Sequence, residues 1–152
     1  MPRRGGRTVY DYVKAIYILG GRPGGDYVPI HRLARLLGVR RATVAVMAKR
    51  LELQGLVERA SRRGLRLTAR GAEELAKLAW KVGVVENLLS RAGVSGSLLE
   101  ELARKLACRL SDDDAEHLCA SLGHPTMCPH GYPIPHPCEG KLSLEGTCLL
   151  RH

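Results

Sequence analysis

The segment from His31 to Gly71 constrains the fold most, because it reads as two short helices followed by a basic hairpin. Leucines at helical spacing mark the first helix, and Gly38 supplies the break that a tight turn needs. The second helix is predicted to carry an apolar stripe with the 3.6-residue period. Its members are Val44, Met47, Leu51, Leu53 and Leu56. Two helices that meet at a glycine predict a helix-turn-helix.

Two short runs that read as strands follow the second helix. Residues 56–59 and 65–67 alternate as strands with one buried face do. Between them, Arg62, Arg63 and Gly64 form a tight, positively charged turn. The segment therefore predicts a winged helix-turn-helix, whose second helix is sized for the major groove of DNA.

The charge distribution supports a polyanionic partner for this half of the chain. Residues 1–71 hold 16 Lys and Arg against 4 Asp and Glu, a net charge of +12. Residues 72–152 hold 8 against 11, a net charge of −3. Double-stranded DNA would therefore be bound by the N-terminal half alone.

Length and composition restrict the class of protein. With 152 residues, the chain can form one or two small domains with a real core. No apolar run approaches a membrane span, and the N-terminal MPRRGGRT lacks an apolar signal region. We therefore expect a cytoplasmic protein with no membrane partner. Its five cysteines favour metal or redox chemistry over a disulfide framework.

The fold is expected to be mainly α-helical with a small β wing. A helical region, 72–123, should follow the DNA-binding domain at 1–71, and a tail rich in Pro, Gly and Cys should follow at 124–152. Cap residues predict where helices begin. These are Thr8 with Asp11 as a capping box, Thr68, Ser97 with Glu100 as a second box, and Ser111.

Seven residues are the candidates for contact with DNA: Arg40, Arg41, Thr43, Lys49, Arg50, Arg62 and Arg63. The first three stand at the N-terminal end of the second helix, where a recognition helix meets base edges. A guanidinium can bind guanine, and a threonine methyl group can contact a thymine methyl group. The next two are expected to contact phosphates. The last two, at the tip of the hairpin, suit the backbone or the minor groove.

Four stretches together resemble the metal-dependent regulators of the diphtheria toxin repressor and manganese transport regulator family. They are YDYVKAIYIL at 10–19, LARLLGVRRATVAVMAKRLELQGLV at 33–57, GLRLTARG at 64–71 and CPHGYPIP at 128–135. The resemblance implies a homodimeric repressor that binds a pseudo-palindromic operator, with divalent iron or manganese as co-repressor. It also implies that region 72–123 serves dimerisation and metal binding. Some relatives add an SH3-like domain, of which residues 141–152 resemble only the first strand, so no complete one is expected.

The resemblance further implies a regulatory metal site, for which only part of the ligand set is present. Asp11, Glu86 and Cys108 fall on ligand positions and can act as donors. The remaining ligand positions hold residues that do not bind a hard divalent ion: Lys14, Val82, Arg104 and Ala107. One interpretation is a residual site for zinc or ferrous iron. The other replaces the metal with ion pairs of Lys14 and Arg104, which would make DNA binding metal-independent.

A second group of donors lies in the tail. It comprises Cys128, His130, His136 and Cys138. Zinc takes four Cys or His ligands in tetrahedral geometry, so a structural zinc site is one interpretation. Buried thiols without a metal are another, and a redox-sensing thiol is a third.

No catalytic constellation stands out, so the sequence predicts a DNA-binding transcriptional regulator and not an enzyme. Two alternatives remain open. A non-specific architectural DNA-binding protein built on the same scaffold would bind any duplex with a steep salt dependence. A zinc-stabilised protein-interaction adaptor would ignore DNA at moderate salt and form a complex with another protein.

Overall fold

The computed structural model describes residues 7–137 and 143–148. The chain divides into two compact units, Met1–Leu75 and Ala76–His152. The first unit contains α1 (Val9–Ile18), α2 (Ile30–Leu37), α3 (Arg41–Leu53), β1 (Val57–Ala60) and β2 (Gly64–Leu67). Helix α4 (Ala69–Arg91) begins in the first unit and continues into the second, where α5 (Gly96–Ala107) and α6 (Asp112–Ser121) follow.

Helices α2 and α3 meet at the predicted glycine turn. Gly38 adopts a left-handed conformation with φ of 65°, which suits a residue without a Cβ. Leu33 from α2, and Val44 and Leu51 from α3, are fully buried. Helix-turn-helix geometry therefore follows from the apolar spacing that the sequence displays.

The predicted wing is an antiparallel pair of strands. Its register runs from Val57 opposite Leu67 to Ala60 opposite Gly64. The backbone of Val28 exchanges two hydrogen bonds with Leu65, at 2.7 and 2.9 Å, and so extends the sheet by an isolated bridge. A Cβ at Gly64 would overlap the carbonyl of Val28, so only glycine allows this close approach.

Three of the four predicted cap positions are confirmed. Thr8 and Asp11 form a capping box, Thr68 Oγ1 accepts a hydrogen bond from the amide of Gly71 at 3.0 Å, and Ser111 caps α6. The box at Ser97 is wrong, because α5 begins at Gly96 with Ser95 at the N-cap. Glu100, which was expected to reach back to the cap, instead has Oε1 3.5 Å from His130 Nε2.

The predicted apolar stripe of α3 is also too long by two members, Leu53 and Leu56. Leu53 is 89% exposed, whereas Leu51 is fully buried. Two residues turn a helix by about 200°, so a side chain two positions beyond Leu51 faces the opposite way. The stripe therefore ends at Leu51, and Leu56 rejoins the core only after the helix has ended.

The second unit has its own hydrophobic core. Helix α4 contributes Trp80 and Val84, α6 contributes Ala115 and Cys119, and the segment after α6 contributes Cys128 and Ile134. A Cβ on Gly83 would lie 2.7 Å from a side-chain carbon of Ile134, so the glycine lets this segment pack closely on α4. The Pro- and Gly-rich region, predicted to be non-helical, is thus part of the core. Within the described residues, no helix is both long and apolar enough to cross a membrane.

Candidate nucleic-acid interface and metal centre

Helix α3 presents one buried and one exposed face. Val44, Ala48 and Leu51 are fully buried and hold the helix against the first unit. Thr43, Lys49 and the other residues predicted to contact DNA from this helix are exposed. The buried stripe therefore fixes which side of α3 is available to a ligand.

The N-terminal end of α3 opens onto a groove that also reaches the wing. Arg40 is the N-cap residue and Arg41 is the first residue of the helix. Arg41 lines an open groove of about 700 Å³ together with Ala45, Arg62 and Arg63. The structure thus brings Arg41 and the two wing-tip arginines to one concave, cationic surface, and it places Lys49 and Arg50 further along α3.

The wing carries arginines of two kinds. Arg59 forms an ion pair with Glu52 at 3.1 Å, and Arg66 forms one with Glu58 at 2.7 Å. Arg66 also lies 4.5 Å above the ring of Tyr27, so it fixes the wing to the loop before α2. Arg62, at the turn, has a left-handed φ of 65° and is exposed. We interpret the paired arginines as structural and the two at the tip as available to phosphate.

Four donor side chains come together in the second unit. One ligand atom from each of Glu86, Cys128, His130 and Cys148 lies within 4.8 Å of the others. His130 Nδ1 is 3.6 Å from Cys148 Sγ, 3.9 Å from Cys128 Sγ and 3.9 Å from Glu86 Oε2. Helix α4 supplies the carboxylate, and the segments after α6 supply the imidazole and both thiols.

Glu86 shows most directly that this cluster suits a cation. The residue is only 3% exposed, and its Oε2 is buried without a hydrogen-bond partner among the described residues. Burial raises the pKa of Glu86 above its ordinary value, and nearby His130 offsets only part of that effect. A buried acceptor with no donor costs stability, which a bound cation would relieve.

A bound cation would also favour the ionised form of Cys148. Burial is the main factor that raises the pKa of the Cys148 thiol, to about 12, and the neighbouring Cys128 and Glu86 add to the effect. A thiol with this pKa is protonated at neutral pH, so Cys148 itself is poorly suited to redox sensing, because the thiolate is the reactive form. A metal ion favours the thiolate by binding it directly.

A second carboxylate supports the imidazole from outside the cluster. Glu100 Oε1 lies 3.5 Å from Nε2 of His130, on the ring nitrogen opposite the one that faces the other donors. Histidines that bind a metal commonly donate their second ring N–H to such a carboxylate. Glu100 is therefore placed to support His130 from the side opposite to Glu86 and the thiols.

The structure regroups the metal-binding residues predicted from the sequence. Glu86 and Cys128 were assigned to different sites but lie in one cluster, whereas Cys108 is an exposed C-cap residue of α5 outside that cluster. His136 is buried with Nε2 2.7 Å from the carbonyl oxygen of Pro125 and also lies outside it. Cys138 lies outside the described residues.

Two further predictions concern residues on α1 and α5. The carboxylate of Asp11 accepts hydrogen bonds from the backbone N–H and the hydroxyl of Thr8, at 2.7 and 3.0 Å, as a capping residue does. Arg104, which one interpretation pairs with Glu86, lowers the pKa of that residue through its charge, but by less than burial raises it. Neither Cys148 nor Glu100 was predicted to belong to a metal site, because neither lies in a recognisable ligand spacing, and Glu100 was predicted only as a capping residue.

A winged helix with a cationic groove, followed by helices with a buried donor cluster, defines a class of proteins: DNA-binding transcriptional regulators that bind metal. Comparison with known families agrees. Residues 6–65 match the N-terminal DNA-binding domain of iron-dependent repressors, and residues 68–136 match their metal-binding and dimerisation domain. The chain belongs to the iron-dependent repressor family of metal-dependent transcriptional regulators. The predicted family and fold class are thereby confirmed.

Individual relatives support the same assignment. The chain is 43% identical over 131 residues to an uncharacterised HTH-type transcriptional regulator from Aeropyrum pernix, covering 86% of this chain and 73% of that protein. It is 36% identical over 103 residues to the transcriptional regulator MntR of Escherichia coli, covering 68% of this chain and 65% of MntR. The protein is therefore a transcriptional regulator and not an enzyme.

Solved structures show the same fold. A hypothetical protein from Sulfolobus solfataricus superposes with a TM-score of 0.76 at 26% identity, covering 84% of this chain and 96% of that one. ScaR with bound Zn²⁺ superposes with a TM-score of 0.75 at 29% identity, covering 91% of this chain and 64% of that one. The chain thus spans slightly less than two thirds of the length of MntR and ScaR. The family and the donor cluster together support a divalent metal as cofactor.

Proposed function

We propose that this protein is a homodimeric repressor that binds a pseudo-palindromic operator through α3 and the wing. We further propose that a divalent ion held by Glu86, Cys128, His130 and Cys148 controls its affinity for DNA. The dimeric, DNA-binding character agrees with the domain types that match the chain. Since its partner is double-stranded DNA, we expect it to act in the cytoplasm.

The buried Oε2 of Glu86 carries the metal part of this proposal. A carboxylate oxygen that is buried without a hydrogen-bond partner among the described residues, beside two thiols and an imidazole, would be stabilised by a bound cation. This burial distinguishes the cluster from exposed groups of polar residues, whose polar atoms are hydrated.

The chemistry of the donors favours a thiophilic ion. Manganese prefers carboxylate and other oxygen ligands, whereas thiolate and imidazole together suit zinc and, among iron states, the ferrous ion. Two of the four donors are cysteines, and only Glu86 supplies oxygen. We therefore expect zinc to bind more tightly than manganese. When bound, the ion supplies positive charge that holds the two thiolates and Glu86 together.

Two titrations test the function. The purified protein, stripped with chelator, is titrated with Zn²⁺ or Mn²⁺ while its melting temperature and bound metal are measured. Its affinity for duplexes selected from a random library is then compared with and without zinc. We expect zinc to raise the melting temperature and the affinity for selected DNA, since coupled sites affect each other reciprocally.

Matched variants identify the site. Cys148→Ser should abolish the zinc-dependent shift, whereas Cys108→Ser, at an exposed cysteine outside the cluster, should preserve it. DNA titrations that coincide with and without zinc would remove the metal switch and leave a constitutive repressor. Equal affinity for selected and random duplexes would instead favour the architectural alternative.

A further inference from the structure

The exposed face of α3 is divided into two chemically different parts. Its members, spaced three or four residues apart, are Ala42, Thr43, Val46, Lys49, Arg50 and Leu53. The first three present methyl groups, and the next two present cations. Ala42, Thr43 and Val46 thus precede Lys49 and Arg50 along the helix axis, and Leu53 follows as an apolar residue at the end of α3.

Val46 is the unexpected member of this face. It is 73% exposed in the middle of a helix whose buried side already has its full apolar stripe. An exposed apolar residue is common on protein surfaces and needs no explanation by itself. Here, however, it occupies the centre of the surface that α3 would present to DNA, at a position where an amide or a charge would read a polar base edge.

The surroundings favour DNA over a protein as the ligand of this face. Lys49 and Arg50 flank Val46 on the C-terminal side, and Arg40 and Arg41 lie on the N-terminal side, all of them exposed. Such an arrangement suits the major groove, where arginine can bind guanine edges and cations can contact the phosphates at the border. An apolar protein partner would leave these cations near an uncharged surface.

We infer that Val46, with Ala42 and Thr43, reads the methyl groups of thymine in the major groove. The C5-methyl group of thymine is the apolar feature of that groove, and a side chain without a hydrogen-bonding group can recognise no other base edge specifically. The protein therefore selects half-sites with thymine opposite Val46. This inference rests on the proposed function, in that α3 is taken to enter the groove.

Replacing thymine with deoxyuracil tests this directly, because it removes the methyl group and nothing else. The full chain is used to select duplexes from a random library in the presence of zinc. Each thymine of the selected site is then replaced singly, and Kd is measured at fixed salt. For the wild type we expect about a fourfold loss of affinity at one or two thymines in each half-site.

Two variants complete a double-mutant cycle. Val46→Ala should weaken binding to the selected duplex by a similar factor and abolish the sensitivity to deoxyuracil at the matching position. Leu53→Ala, at an apolar residue of the same face that is 89% exposed, should retain that sensitivity. Both positions are exposed, so neither substitution removes a core contact.

The outcomes distinguish failure of the inference about Val46 from failure of the proposed repressor function. If the protein prefers its selected duplex but no replacement of thymine weakens binding, the inference about Val46 fails and the proposed repressor function stands. The same holds if Val46→Ala remains as sensitive as the wild type. If no duplex is preferred over random DNA, both fail.

Discussion

In the first unit, the side chains expected to meet DNA are exposed, mostly cationic, and lie on neighbouring elements. In the second unit, the donors for metal include the buried Glu86 and Cys128 and come from distant parts of the chain. Arg41 and Arg63 are carried by a helix and a turn that follow one another closely. Glu86 and Cys148 are brought together only when the segments after α6 pack against α4. Elements that are close in sequence are thus enough to form a surface for a polyanion, whereas the ion site forms only when distant segments pack together.

The two regions also differ in how they treat charge before a ligand binds. An exposed arginine remains hydrated and costs the folded state little. The buried carboxylate of Glu86 has lost water without gaining a hydrogen bond among the described residues. The DNA-binding surface can therefore exist without its ligand at little cost, whereas the donor cluster is destabilising until a cation arrives.

The largest expected effect concerns the backbone of the wing. Gly64→Ala should destabilise the protein by about 3 kcal/mol or more, because Gly64 has φ of 118° and an added Cβ would overlap the carbonyl of Val28. Gly24→Ala is the matched control, since Gly24 also has positive φ but has nothing within 4 Å of an added Cβ. Urea unfolding measures both. Equal losses would show that the bridge to Val28 does not constrain the wing.

The next prediction separates the roles of two arginines in the cationic groove. Arg41→Ala should reduce the preference for selected over random DNA by about tenfold, since a base contact is worth about 1–3 kcal/mol. Arg62→Ala should weaken binding to all duplexes alike and lower the salt dependence, as loss of a phosphate contact does. Fluorescence anisotropy on both DNA types, at several salt concentrations, distinguishes the two. The same loss on both DNA types for both variants would contradict this division.

A smaller effect, of opposite sign, is expected in the second unit. Glu86→Gln should stabilise the metal-free protein by about 1 kcal/mol, because it removes a buried charge that has no hydrogen-bond partner for Oε2 among the described residues. The same variant should lose the stabilisation that zinc confers on the wild type. Denaturant unfolding with and without zinc measures both effects. A metal-free variant less stable than the wild type would mean that the carboxylate is already compensated.

The smallest effect belongs to a surface ion pair. Lys81 Nζ lies 2.7 Å from Asp112 Oδ1, and this hydrogen bond is the main cause that lowers the pKa of Asp112. A lowered pKa in the folded state stabilises the protein above the unfolded pKa, and the contribution disappears as the pH falls through the folded value. Because Asp112 is 57% exposed, Asp112→Asn should cost less than about 1 kcal/mol at pH 7.

The measurement for this last prediction is the stability of both proteins between pH 7 and pH 2. The difference between wild type and Asp112→Asn should shrink toward zero at the acid end, once the carboxylate of the wild type is protonated. A difference that grows as the pH falls would have the wrong sign for a carboxylate with a lowered pKa.

Local signals account for most of what the sequence predicts correctly. The apolar spacing of α2 and α3, the glycine between them and the alternation of the wing are each settled within a few residues. The caps at Thr8 and Ser111 are similarly local. Leu53 shows the limit of this reasoning. It is apolar, as a member of the buried stripe would be, but its position in the helical turn makes it face solvent.

The donor cluster could be predicted only in part, for a physical reason. Cys128 and His130 lie two residues apart, so their proximity is evident from spacing. Their partners Glu86 and Cys148 are selected by how the segments after α6 pack on α4, and no local pattern encodes that packing. Metal donors that come from distant segments can therefore be identified only in the folded structure.

The position of Cys148 has a further consequence for the end of the described chain. Residues 143–148 include buried Leu144 and Thr147, and Cys148 packs against the core of the second unit. An ion bound by Cys148 and Glu86 would act as a removable staple that fastens this segment to α4. Loss of the ion would then weaken only the attachment of residues 143–148 to α4, while Trp80 and Val84 stay packed. Low metal would therefore change the structure first at this segment.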